Sequence, residues 1–286
     1  MMKGRIVASI CGRYSVYHEG QIFTVVPRGI LKKDNDRLLV GDIVQFDQEL
    51  LTIDKILLRK NEIIRPRIAN IDQILVVSSL EEPTFSFESI FKYLTFANFN
   101  NVHSEVIITK TDISKENIKI AQIVDIFSKI GVKVHFISNK TKEGIEEIKG
   151  VFAHKVSALA GQSGVGKSSF LNSINPSYQR DIGEYSKALG RGKHQTKETI
   201  LLPFSNGFIA DTPGFSSLEL NMSKEEIAHN FPGIKDYYAR CSFTNCLHIS
   251  EPNCKVKEAL ELEKIPRLVY DFYVKLSNEA LMLYRR

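Results

Sequence analysis

The sequence predicts a multi-domain chain: an N-terminal OB-type β-barrel, a central α/β domain around a phosphate-binding loop, and a C-terminal, mostly helical domain that carries a metal cluster. Three observations predict it. Residues 4–58 alternate apolar with polar and are rich in β-branched and aromatic residues. From residue 73 to about 220, apolar runs alternate with stretches of helical spacing. Residues 241–254 hold three cysteines and a histidine. At 286 residues the chain is too long for one small core and suits two or three domains. With 43% hydrophobic and 25% charged residues it has ordinary globular composition. No run approaches 18 apolar residues, so no membrane span is expected, and the N-terminus lacks the apolar core of a secretory signal. The expected compartment is the cytoplasm, with cysteines reduced.

The first domain is read as residues 1–68. RIVASI, RYSVYH, QIFTVV, DIVQFD and LLTIDKIL form five short strands, punctuated by Gly12, Gly20, Gly29 and Gly41. Such a count fits an OB-type barrel, a fold that holds single-stranded nucleic acid on basic grooves and exposed aromatics. The net charge of +5 is concentrated here, with 12 Lys/Arg against 8 Asp/Glu in residues 1–68. Arg28, Lys32, Lys33 and Arg37 fall between the third and fourth strands. An anionic partner and a plain packing module both fit these facts. Cys11 reads as a small buried apolar residue, and RKNEIIRPRIANID, residues 59–72, as a linker.

The second domain is read as residues 69–220. DQILVVSS, EVIITK, VKVHFIS and VSALAG are strands, alternating with the helical stretches SFESIFKYLTFANF, ENIKIAQIVDIFSKI and EGIEEIKGVF. The alternation signals βαβ units and a mostly parallel sheet. After the last of these strands comes GQSGVGKSS, which fits GxxxxGK[ST] without a gap and runs into the helix KSSFLNSIN. Gly161, Gln162, Ser163, Gly164, Val165, Gly166, Lys167, Ser168 and Ser169 are therefore candidate phosphate-binding residues. Glycines let the backbone curl its N–H groups onto a phosphate chain, and the helix start adds its positive dipole end. Lys167 supplies charge to the β and γ phosphates, and Ser168 can hold Mg²⁺. Downstream, DTPG follows the strand GFIA, with Asp211 toward the Mg²⁺ shell and the Gly214 N–H toward the γ-phosphate. Between the two lies a basic loop, KALGRGKHQTKET, in which Thr196 is the candidate second hydroxyl on Mg²⁺. Lys187, Arg191 and Lys193 in that loop fit a solvated surface as well.

TKTD, residues 109–112, ends the strand EVII. A carboxylate there accepts two hydrogen bonds from guanine, through its ring N–H and exocyclic amine, whereas adenine offers no such edge. Thr109, Lys110, Thr111 and Asp112 are thus candidate base-recognition residues, and Ser138-Asn139 sits where a short loop could close over the guanine carbonyl. Both elements keep their usual relative order but precede the phosphate loop instead of following it. A circular permutation yields that order and leaves the packed sheet unchanged.

PRGILKK, RKNEIIRP, ANID, GQSGVGKSSFLN, GRGKHQT, IADTPGFSSLEL and CLHISEPNCKVK together resemble the circularly permuted small ribosomal subunit biogenesis GTPases, over nearly the whole chain. The resemblance implies an OB-type barrel, a permuted GTPase domain and a zinc-binding helical domain. It implies a protein that binds the small ribosomal subunit and its rRNA late in assembly, and hydrolyses GTP to GDP faster when bound there. It also points to His194 as the group that orients the attacking water, because Phe215 stands where many GTPases carry a glutamine after DxxG. Arg191 is the alternative, as a source of transition-state charge. Two residues depart from the family pattern: Thr109 replaces an asparagine, and Gln195 a threonine.

The third domain is read as residues 221–286. Cys241-x4-Cys246-x-His248-x5-Cys254 supplies four soft ligands, enough to close a tetrahedral Zn²⁺ shell with no open position. A disulfide or scattered buried cysteines are the other readings. VKEALELEK and PRLVYDFYVKLSNEALMLYRR close the chain as helices. Three functions stay open: a GTPase switch acting as a monomer in small-subunit assembly, a P-loop ATPase favoured by Thr109, and an RNA-binding module that holds nucleotide without turnover.

Overall fold

The computed structural model describes residues 1–29, 37–113, 117–176, 199–211, 215 and 218–283. Five strands, β1 (Met2–Ile10), β2 (Arg13–His18), β3 (Gln21–Pro27), β4 (Ile43–Asp47) and β5 (Thr52–Ile56), close a barrel in the order β1-β2-β3-β5-β4. β3 and β5 pair in parallel and the other neighbours antiparallel, the OB arrangement that the alternating pattern predicts. One face of each strand fills the interior with Ile6, Val16, Val25, Val44, Phe46 and Ile53, all fully buried. Cys11 is not part of that interior. It is exposed, in a tight Cys11-Gly12 turn where both residues have positive φ, and such a turn projects its side chains into solvent.

Residues 59–72 are also not a loose linker. They form a hairpin of β6 (Glu62–Ile63) and β7 (Ile68–Ala69), with Ile63, Ile68, Ala69 and Ile71 fully buried. Gly41 makes the close approach possible: a Cβ there would run into the Ala69 carbonyl oxygen, and φ is 96°. Ala69 N–H donates to Val40 O at 2.9 Å. The clamp is ionic. The Arg59 guanidinium grips the fully buried Asp42 carboxylate with Nε to Oδ1 at 2.7 Å and Nη2 to Oδ2 at 2.9 Å, while Leu39 N–H donates to Oδ2. Arg59 also reaches Glu62 and the Arg37 carbonyl. The sequence missed this because the contacts span 17 to 29 positions, Arg59 to Asp42 and Ala69 to Val40, and the clamp is made of charged residues, which local patterning reads as loop.

From residue 73, β8 (Gln73–Ser79), β9 (His103–Thr109), β10 (Val134–Phe136), β11 (Val156–Ala160), β12 (Ile200–Phe204) and β13 (Gly207–Asp211) alternate with α1 (Phe87–Phe99), α2 (Asn117–Lys129), α3 (Ile145–Lys149) and α4 (Lys167–Ile174). The chain packs as two units, residues 1–74, 145–159 and 167–216, and residues 75–144, 160–166 and 217–286. In the first, β13 pairs in parallel with β11 and antiparallel with β12. Tyr17 packs edge-on against Phe208 of β13 at 5.2 Å, and the Arg5 guanidinium lies 5.6 Å from the same ring. In the second, the strand order is β10-β9-β8, with β9 and β10 parallel.

The second unit continues with α5 (Lys224–Asn230), α6 (Lys235–Tyr238), α7 (Lys255–Glu261) and α8 (Arg267–Leu283). Ser223 and Glu226 form a capping box that starts α5. Phe91 of α1 meets Phe87, Phe127, Phe231 and Phe272 at ring separations of 5.4–6.0 Å. Glu88 of α1 accepts from Lys275 of α8 at 2.6 Å. Among the described residues, no helix is long and apolar enough to cross a membrane.

Replacing Arg59 with Leu leaves the Asp42 carboxylate buried and uncompensated. Urea unfolding should show a loss of about 3–5 kcal/mol, and adding Asp42→Asn should recover part of it. An unchanged midpoint would mean that the pair does not hold the hairpin.

Candidate functional site

The phosphate loop leaves β11 and enters α4 at Lys167. Its glycines are dictated by space. Gly161 has φ 141°, and a Cβ there would run into the Val77 carbonyl oxygen; Gly164 and Gly166 have φ of 83° and 92°. Val165 is buried and anchors the loop, while Gln162, Ser163 and Gly164 are exposed. Tyr93 of α1 adds a support that sequence reasoning missed. Its buried hydroxyl, pushed above the usual phenol range by desolvation, is hydrogen-bonded to the Gly161 backbone. A tyrosine within an apolar helical pattern gives no local sign of that contact. Lys167 is half-buried, and desolvation lowers its pKa from the usual lysine value; Ser168 and Ser169 are exposed on the first turn of α4. Asp211 ends β13, and Phe215 is buried. His194, Thr196 and Gly214, with Arg191, Lys193 and Gln195, lie outside the described residues, as do Lys32 and Lys33.

The TKTD strand comes to this loop directly. Thr109, fully buried at the end of β9, donates its hydroxyl to Val165 O at 2.6 Å, across 56 positions of sequence. Lys110 takes a left-handed conformation with φ 61° and gives its ammonium to the Glu82 carbonyl. Thr111 N–H donates to Ile137 O at 3.4 Å. Asp112 is exposed, and its Oδ1 accepts from the Ser138 hydroxyl at 2.6 Å. Ser138 is buried and accepts in turn from Lys140 N–H at 3.2 Å and Thr141 N–H at 3.0 Å. One packing unit therefore holds TKTD, Ser138 and residues 161–166 together, although the chain order is rotated.

The second cluster is in the C-terminal helices. The ligand atoms of Cys241, Cys246, His248 and Cys254 lie within 4.8 Å of one another. Cys241 Sγ stands 3.9 Å from Cys254 Sγ, and His248 Nδ1 stands 3.7 and 3.4 Å from those two sulfurs. A tetrahedral metal with bonds of about 2.3 Å to sulfur requires edges of about 3.8 Å, so the residues fit one ion with all four positions filled. The thiols are free of disulfides. Burial holds the His248 imidazole down to about 4, hence neutral, and pushes the Cys246 thiol up to about 12. The knuckle is fixed by Glu251, whose carboxylate accepts from the N–H groups of Leu247, Ile249 and Ser250 at 2.8–3.1 Å. Two hydroxyls of α8 clamp it, Tyr270 on His248 O at 2.7 Å and Tyr273 on Leu247 O at 2.6 Å.

Residues 56–221 match the RsgA GTPase family, and residues 3–52 the RsgA N-terminal domain. The chain belongs to the RsgA GTPase family. It is 40% identical over 292 residues to the small ribosomal subunit biogenesis GTPase RsgA of Halalkalibacterium halodurans, covering 100% of this chain and 99% of that one. The RsgA of Staphylococcus aureus strain MRSA252 is 39% identical over 285 residues, 98% and 97% of the two chains. Among solved structures, YjeQ from Thermotoga maritima superposes with a TM-score of 0.84 at 35% identity over 98% of each chain. YloQ, described as a circularly permuted GTPase, gives 0.81 at 34% identity over 97% of this chain and 94% of its own. The rotated motif order is thus the order of an RsgA-type permuted GTPase fold.

Three thiol ligands beside a neutral imidazole make a specific demand on metal uptake, with burial raising the Cys246 and Cys254 thiols. Adding a divalent metal to the metal-free chain near pH 7 should release about three protons, one per thiol and none from His248. Calorimetry in buffers of different ionisation enthalpy counts them. Release of no protons would exclude the three sulfurs as ligands.

Proposed function

We propose that this chain hydrolyses GTP to GDP and phosphate while bound to the small ribosomal subunit and its rRNA, late in that subunit's assembly. The observation that carries this reading is the Thr109–Val165 hydrogen bond, which joins the base-side strand to the phosphate loop in a chain of the RsgA family. In this reading Gly161, Gln162, Ser163, Gly164, Val165, Gly166, Lys167, Ser168 and Ser169 hold the phosphates. Lys110, Thr111, Asp112 and Ser138 line the base, with the carboxylate of Asp112 on the guanine ring N–H and amine. Thr109 is a strut rather than a base contact, because its hydroxyl proton is given to Val165.

Ser168 and Thr196 would hold Mg²⁺, and when bound the ion neutralises phosphate charge. In the same reading Asp211 faces the Mg²⁺ shell, Gly214 offers its N–H to the γ-phosphate, and His194 orients the water. Phe215 supports a separate water-orienting group, since a buried phenyl ring cannot hydrogen-bond. The Cys241, Cys246, His248 and Cys254 cluster holds one structural Zn²⁺, supported by its edge lengths and closed shell. The proposed setting is the cytoplasm, where thiols stay reduced. The residues assigned to the nucleotide all come from one chain, so a single copy suffices.

Phosphate release from GTP and ATP, with and without purified small subunits, tests the reading. Turnover of GTP should be slow alone and rise with the subunits, while ATP is left untouched. Asp112→Asn should reduce the GTP-over-ATP preference, because a missing hydrogen bond to a charged group is worth roughly 2–4 kcal/mol. Equal rates with and without subunits would defeat the ribosomal assignment, and an unchanged preference in the variant would defeat the role of Asp112.

A further inference from the structure

Phe208 stands on β13, the strand that ends at Asp211, and residues of the barrel hold its ring. Barrel and strand lie in one packing unit, which also contains Lys167 and Ser168. The backbone at Phe208 is fixed on the sheet side. Its N–H donates to Lys155 O at 2.9 Å, the residue pairs with Val156 of β11, and a Cβ on Gly207 would run into the Lys155 carbonyl oxygen. The ring is fixed from the barrel side. Tyr17 of β2 meets it edge-on, with centroids 5.2 Å apart and planes at 88°. The Arg5 guanidinium of β1 lies 5.6 Å from its centroid and donates from Nη1 to Gly41 O at 3.0 Å. Gly41 is the residue pressed against Ala69, next to the Asp42–Arg59 clamp. Arg5 and Tyr17 also face outward: with Lys3 and His18 they line a depression of about 430 Å³ on the barrel. A group that enters this depression touches the two residues that hold Phe208.

Resting on the reading above that the small subunit binds this chain and speeds its hydrolysis, we propose that Phe208 is a positioning residue for that response. Tyr17 and Arg5 set, through its ring, where the Asp211 end of β13 stands, and a subunit contact on the barrel reaches Asp211 by this route. The lever is short. Asp211 lies three residues beyond Phe208, about 10 Å along a strand. The phosphate loop and the TKTD strand do not include Phe208, so its loss changes rate and leaves nucleotide binding intact.

Turnover of GTP by the full-length chain, alone and with saturating purified small subunits, tests this in Phe208→Leu, Tyr17→Leu, the double variant and Tyr17→Phe. Each Leu variant should lower the subunit-stimulated kcat about three- to tenfold, the worth of one aromatic pair. GDP affinity, subunit affinity and turnover without subunits should stay as in the unmodified chain. The two rings act through one contact, so the double variant should be no slower than either single one. Tyr17→Phe keeps the ring and should match the unmodified chain. An unchanged stimulated kcat in Phe208→Leu, losses that multiply in the double variant, or an equal loss without subunits overturns the proposal. Hydrogen exchange of the GDP-bound chain without subunits keeps the two readings apart. Both Leu variants should exchange the amides of residues 209–211 faster and leave those of β8 and β9 unchanged. If subunits fail to stimulate the unmodified chain the ribosomal reading fails, while the exchange at 209–211 still decides whether the barrel sets the end of β13.

Discussion

The hydrogen bond from Thr109 to Val165 O is the constraint on which the site depends. One neutral bond contributes only about 1 kcal/mol net. Its importance is geometric: it is buried, and it joins the end of β9 to a loop whose backbone must hold φ angles of 83° and 92° at Gly164 and Gly166. Around it, Tyr93 fixes Gly161 from α1, and Ser138 fixes Asp112 from the turn after β10. Each support is a short polar contact from a rigid element, which is how a site stays preorganised without a ligand. The contacts also explain why permutation is tolerated. They act through space between strand ends, and none requires that the strands follow one another in a particular order.

The C-terminal helices rest on a comparable arrangement. The knuckle of the cysteine cluster is tied by Tyr270 and Tyr273 to α8, and α8 is tied by Lys275 and Phe272 to Glu88 and Phe91 of α1. A metal shell closed by these four residues would fix one end of a helix whose other contacts reach the helix that supports Gly161. With all four ligand positions supplied by protein, the cluster has no place for a substrate, and its contribution is to order.

What was legible in the sequence was what local patterning encodes. Alternation gave the five barrel strands, GQSGVGKSS gave the loop, and the Cys/His spacing gave the cluster, because each signal lies within a few residues. What was not legible depends on partners far away in the chain. Residues 59–72 read as a linker because Arg59 and Asp42 look like surface charges until the fold pairs them. Cys11 read as buried because its type usually is, whereas the tight turn at Gly12 decides otherwise. The Thr109–Val165 hydrogen bond joins residues 56 positions apart, so no local pattern in the sequence shows it.

The central claim is that Thr109 holds the base side and the phosphate side together and does not itself read the base. Binding of GDP and of inorganic tripolyphosphate to Thr109→Val, with Thr109→Ser as the variant that keeps the hydroxyl, tests it most directly. The account predicts that Val weakens both ligands by a similar factor, about three- to tenfold, and that Ser restores both. Loss of GDP affinity with tripolyphosphate binding unchanged would make Thr109 a base contact and contradict the account.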